Sequence, residues 1–143
     1  VSYRFLDEVP TADVGFAATG ATLDACFQEA AEATLAVMLG NPSALQPLQR
    51  RTVHVADESL ELVLLKFLEE LVFYKDAQGL FLRASHVAVR QDAGRWEVEA
   101  TLEGEAIDPS RHELSGDVKA VTLHQLRVQP TDTGWEATVV LDV

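Results

Sequence analysis

Trp96-Glu97-Val98-Glu99-Ala100-Thr101-Leu102 alternates apolar with polar residues over seven positions. Trp96, Val98, Ala100 and Leu102 share one face, and Glu97, Glu99 and Thr101 share the other. A period of two with acids on one side marks a strand buried on one face and wet on the other, the usual condition of antiparallel sheets. Upstream, Gln91-Asp92-Ala93-Gly94 carries turn chemistry and Leu80–Arg90 is again strand-like, so the spacing predicts a β-hairpin. Val118–Gln129 and Trp135–Val143 are expected to form a second antiparallel pair across Pro130-Thr131-Asp132-Thr133-Gly134. Val14–Ala18 and Arg51–Ala56 read as further strands.

Two segments change period. From Thr22, the residues Leu23, Cys26, Phe27, Ala30, Ala31, Thr34, Leu35, Met38 and Leu39 recur at steps of three and one, which is one face of a helix. Thr22 is the expected N-cap, and Gly40-Asn41-Pro42 ends the run. Leu60, Val63, Leu64, Phe67, Leu68, Leu71 and Val72 repeat the spacing in a second helix, from about Ser59 to Tyr74. Strand and helix, strand and helix, then a run of strands predicts an α+β fold: a two-layer, largely antiparallel β-sheet with two amphipathic helices packed on one face. The length of 143 residues suits one domain spanning 1–143. Gly104–Gly116 has no periodicity, and a loop of that length inside a compact domain is often functional.

Composition narrows the function classes. Hydrophobic residues make up 48% and charged residues 24%, a globular balance. A single cysteine excludes an internal disulfide framework and a multi-cysteine zinc site. No apolar run approaches the length of a membrane span, and Val1-Ser2-Tyr3-Arg4-Phe5-Leu6-Asp7 lacks a signal-peptide pattern, so the expected location is the cytosol. Eleven Lys and Arg against 23 Asp and Glu give a net charge of −12. Nucleic-acid affinity comes largely from cation–phosphate contacts, so direct RNA or DNA binding is disfavoured, and basic proteins or metal cations are the better partners.

Four groups of residues could carry chemistry. Asp13 enters an apolar strand just before Gly15, where it either caps a turn or presents a carboxylate from a rigid element. Asp142 stands between Leu141 and Val143 at the end of the last strand, as a surface acid or as a ligand. If the two strand ends are neighbours, the pair forms a hard-cation site for Ca²⁺, Mg²⁺ or Mn²⁺. In Ile107–Glu113, Arg111 either clamps an anion or orders the loop through a salt bridge. Lys119 enters an apolar strand, on its wet face or paired with an acid. His124 reads as a structural histidine within an alternating strand, and His54 and His86 as strand-face residues. Cys26 lies on the apolar stripe of the first helix and is expected to be buried and unreactive. Phosphate loops, nucleophile elbows, HExxH and EF-hand patterns do not occur, which weighs against a self-sufficient enzyme.

Thr11-Ala12-Asp13-Val14-Gly15, Asp108-Pro109-Ser110-Arg111-His112-Glu113, Val118-Lys119-Ala120-Val121-Thr122 with His124, and Leu141-Asp142-Val143 occur in the order and spacing of one family. With Leu68-Glu69-Glu70-Leu71-Val72-Phe73 and Asp76 before Gly79-Leu80, the chain resembles archease along essentially its whole length. The resemblance implies an accessory protein, itself not an enzyme, of the GTP-dependent tRNA-splicing RNA ligase RtcB. It would promote guanylylation of the ligase histidine and multiple turnover, meeting RNA only through the ligase. It also implies a divalent cation held by Asp13 and Asp142, with Lys119, Arg111 and His112 as further residues for activation or partner contact. The chain departs from the family in carrying Val9-Pro10 where Asp-His is usual, and Glu69 where an asparagine is common. Two other readings remain: a general chaperone or protein-interaction module, and a metal-dependent phosphoesterase using Asp13 and Asp142 as ligands.

Overall fold

The computed structural model describes residues 2–7, 9 and 13–143. The first helix, α1, spans Leu23–Met38, and the Thr22 hydroxyl accepts the Ala25 N–H at 3.1 Å as its N-cap. Its expected stripe is buried from Cys26 to Leu39, with Leu23 half-buried at the start, and Ala33 and Val37 are buried as well. The burial is wide because α1 packs between strands of two different sheets. Thr34 is tolerated inside because its hydroxyl donates to the Ala30 carbonyl at 2.9 Å. Cys26 is fully buried, its thiol aimed at the Ala18 carbonyl, and burial pushes its pKa up to about 11.

The second helix, α2, is capped by Ser59 and spans Leu60–Gln78, four residues beyond the expected end. It stops where Gly79 supplies a left-handed residue at φ 64°, and the Gly79 N–H closes on the Lys75 carbonyl at 3.1 Å. Apolar periodicity fades after Val72, but nothing in Tyr74–Gln78 breaks a helix, so the glycine sets the end.

The strands are β1 (Ser2–Leu6), β2 (Asp13–Gly20), β3 (Gln49–Asp57), β4 (Leu80–Asp92), β5 (Arg95–Ala106), β6 (Ala120–Val121), β7 (Arg127–Thr131) and β8 (Gly134–Asp142). Every pairing among them is antiparallel. They divide into two sheets, a division the alternation pattern does not reveal. One has the order β1-β2-β8-β6, with β7 also beside β8, and the other has the order β3-β5-β4. The β4–β5 hairpin turns on Ala93 and Gly94, both at positive φ (52° and 79°), as a two-residue turn requires. One continuous core takes Phe16, Val139 and Leu141 from the first sheet, Val53, Val98 and Leu102 from the second, and Phe27 stacked on Phe67 between the helices.

One strand has no counterpart in the sequence reading: β1 has no buried face, so its sequence carries little strand signal. Two local expectations are corrected. Val118–Gln129 is not one strand: only Ala120–Val121 and Arg127–Thr131 pair with β8. Between them Thr122 bonds the Val140 carbonyl and accepts the His124 N–H, and Gln125 takes φ 56°, which turns the chain. His124 therefore sits exposed in a turn and not within a strand. Finally, the expected loop starts later, because β5 continues to Ala106. His54 and His86 are exposed strand residues as expected, with His54 Nε2 3.5 Å from Glu97. Among the described residues, no helix is long and apolar enough to cross a membrane.

Candidate functional site

β2 begins at Asp13 and β8 ends at Asp142, and their antiparallel register sets the two residues directly opposite each other. Parity decides which way they face. Phe16, Ala18, Val139 and Leu141 turn into the core, so Asp13 and Asp142 share the other face. Directly opposed side chains of a sheet have Cβ atoms about 4.5–5.5 Å apart. The two aspartates are half-buried at the same sheet end, and the juxtaposition expected between the first and last motifs is present. Two positions along this face from Asp13, Gly15 leaves room for Leu6 and Val9: a Cβ there would meet Val9 Cγ1 at 2.7 Å. Pro10, Thr11 and Ala12, which complete the first motif, lie outside the described residues, as does Glu8.

The other flank of Asp142 is built by the end of the long loop. Ala120 stands opposite Asp142 in the β6–β8 pairing, and the Lys119 N–H donates to the Asp142 carbonyl at 2.8 Å. Lys119 also lines a groove of about 860 Å³ between α2 and β6, together with Glu69, Phe73 and Asp76. Neither aspartate lines that groove. The contact that ties Lys119 to the acidic pair is thus made by its backbone N–H.

Arg111 and His112 gather elsewhere, around Glu105. This carboxylate is 2% exposed; it pairs with the Arg111 guanidinium, accepts the Gln46 N–H at 2.7 Å, and lies 3.4 Å from His112 Nε2. His112 Nδ1 accepts the Asp108 N–H at 2.9 Å, and its ring meets Phe81 edge-on at 5.7 Å. Burial, then the Arg111 cation, pull the His112 pKa below the ordinary histidine value, against a smaller upward pull from Asp108. Asp108 is held below the usual carboxylate range by the Ser110 hydroxyl and N–H. Of the two readings of Arg111, the loop-ordering salt bridge is the one its contacts realise.

Two residues of this region were not foreseen. Glu105 continues the solvated parity of Glu97, Glu99 and Glu103, and only the overlying loop buries it. Lys75 stands three after Val72 and four after Leu71, on the apolar stripe of α2, and a lysine at a stripe position is a readable signal of a buried charge. Its ammonium group donates to the Val118 carbonyl at 2.7 Å and pairs with Asp76 at 2.7 Å and with Asp117.

Asp13 and Asp142 suit a hard divalent cation whose remaining positions are filled by water. Among the described residues no group of three or more His, Cys, Asp or Glu is placed to hold a metal ion, so any ion at this strand end would have these two carboxylates and water as ligands.

Comparison with known proteins agrees with this architecture. The model of the Archease protein family matches residues 3–143. Protein archease of Thermococcus kodakarensis is 34% identical over 134 residues, covering 93% of this chain and 94% of the relative. That of Methanosarcina mazei is 30% identical over 142 residues, covering 99% and 95%. The solution structure of protein 1598 of Methanobacterium thermoautotrophicum superposes with a TM-score of 0.81 at 29% identity, covering 99% of this chain and 98% of that one. An archease of Thermotoga maritima, described as a possible chaperone, shares the fold at a TM-score of 0.59 and 16% identity, covering 94% and 93%. On the whole-chain family match and these relatives, the chain belongs to the archease family.

Proposed function

We propose that this chain is a non-enzymatic accessory protein of a basic, GTP-dependent RNA ligase of the RtcB type, acting in the cytosol. On this reading Asp13 and Asp142 hold a divalent cation that supplies a hard positive charge at the ligase active site, and the effect is faster guanylylation of the ligase histidine. The observation that carries the reading is the register that opposes Asp13 to Asp142. Like charges directly across a strand pair destabilise a sheet by up to about 1 kcal/mol, and a cation between them removes that cost. The net charge of −12 supports the choice of partner, because an acidic surface steers toward a basic protein and away from RNA phosphates. Arg111 and His112 then act by fixing the loop that leads to Lys119 and Ala120.

The test is ligase–GMP formation with GTP and Mn²⁺ or Mg²⁺, with and without substoichiometric protein. Faster formation that is lost in Asp13→Ala plus Asp142→Ala, with the variant folded, is the expected result. Full stimulation by the folded double variant would sink the carboxylate site. No stimulation by the wild-type protein, with the ligase active alone, would sink the activator reading and bring forward a general chaperone role, which the half-exposed Phe73 beside the α2 groove would serve.

A further inference from the structure

We infer that Lys75 is a positioning residue for the Asp13–Asp142 site and acts on it through one peptide group. The inference rests on the reading that this pair binds a divalent cation. Lys75 is 8% exposed in the last turn of α2, while Asp76 and Ala77 beside it are open to solvent. An ammonium group has three donors. Here they meet three acceptors: the Val118 carbonyl at 2.7 Å, Asp76 at 2.7 Å, and Asp117. Burial alone favours the neutral amine, but the bonds to Asp117 and Asp76 outweigh it, so Lys75 stays charged.

The Val118 carbonyl and the Lys119 N–H are the two ends of one planar peptide unit. Lys75 holds the oxygen end, and the hydrogen end donates to the Asp142 carbonyl at 2.8 Å. The plane fixes the direction of one bond from the other. A cation on the oxygen also polarises the unit, so its N–H becomes the stronger donor. The next residue, Ala120, opens β6 opposite Asp142. Two residues make a marginal strand by themselves, so β6 depends on the clamp that precedes it. Asp142 is the last residue of β8, where a strand frays unless both neighbours are fixed. Asp13 fixes one side, and Lys75 fixes the other through the 118–119 peptide.

Mn²⁺ binding to the full chain, measured by the loss of the free-ion signal in electron paramagnetic resonance, tests this well below the unfolding midpoint. Lys75→Met keeps the aliphatic stem and removes the charge. Asp76 and Asp117 stay solvated, since their side chains are 59% and 70% exposed. The expected result is about tenfold weaker Mn²⁺ binding, with faster amide exchange at Lys119 and unchanged exchange in the middle of β5. A residue that only stabilised the fold would lower the melting temperature and leave the affinity of the folded protein alone. Wild-type affinity in folded Lys75→Met therefore overturns the proposal. If that variant does not fold, Lys75→Leu, which likewise has no donor for the Val118 carbonyl, is measured the same way, and wild-type affinity there overturns it equally. Asp142→Asn separates the two levels. If wild type binds no Mn²⁺, or Asp142→Asn binds it as well as wild type does, the site reading itself fails.

Discussion

His112 shows how a single residue can report on the loop. To gain a proton in the folded protein it must overcome burial and the nearby Arg111 cation, and give up the bond its Nδ1 accepts from the Asp108 N–H. Its folded pKa therefore lies below the unfolded value of about 6.5, so the unfolded chain binds more protons below that pH. The stabilisation is complete above about pH 6.5 and is lost as pH falls through and below it. Thermal melts should show a fall in the midpoint from pH 7 to pH 5, and a shallower fall in His112→Gln. Equal slopes in the two proteins would mean that the ring is not held neutral by its surroundings. The same residue marks a limit of sequence reading. His112 and Arg111 stand out in the loop as functional types, but their acceptor, Glu105, has the parity of a solvent acid and is identified only when the loop covers it.

Elements succeed here where their ends are chemically marked. α2 starts on the Ser59 hydroxyl, which accepts the Leu62 N–H at 3.2 Å, and ends on Gly79 at φ 64°. Gly79 has open space around the position of a Cβ, so an alanine there meets only backbone strain. Gly79→Ala should destabilise the protein by about 1 kcal/mol in urea titration. A neutral substitution would show that α2 can end without a left-handed residue. The first-turn acids of both helices also tie down strand edges: Asp24 accepts the Val89 N–H at 2.8 Å and Glu61 the Val128 N–H at 3.1 Å. Each places an acid near a helix N-terminus, where the macrodipole favours it, and satisfies a strand donor besides.

For the whole molecule, the dominant number is the charge of −12. Long-range steering toward a basic partner is screened over about 10 Å at 0.1 M salt. Association with the proposed ligase partner should therefore slow severalfold between 50 and 500 mM NaCl, measured as an association rate by stopped flow, while dissociation changes little. A salt-independent association rate would place the acidic surface outside the encounter. The opposition of Asp13 and Asp142 lies at one end of the β2–β8 pair, whose other face contributes Phe16, Val139 and Leu141 to the core.

What the residues determined alone was the local structure and the candidate chemistry. Periods of two and 3.6, the caps at Thr22 and Ser59, and the Ala93-Gly94 turn act over a few residues, and they suffice for an antiparallel α+β protein. The motif order was enough to suggest the family, and with it the acidic pair. The tertiary structure decided what depends on long sequence separations. It split the strands into two sheets, broke Val118–Gln129 into β6 and β7, buried Glu105, and set Asp13 opposite Asp142 across 129 positions of chain. It also used the Lys119 N–H on the Asp142 carbonyl, and placed Lys75 behind that peptide. The physical reason is register. A strand's own residues fix which side chains share a face, but its alignment with a partner is fixed by how the whole core closes.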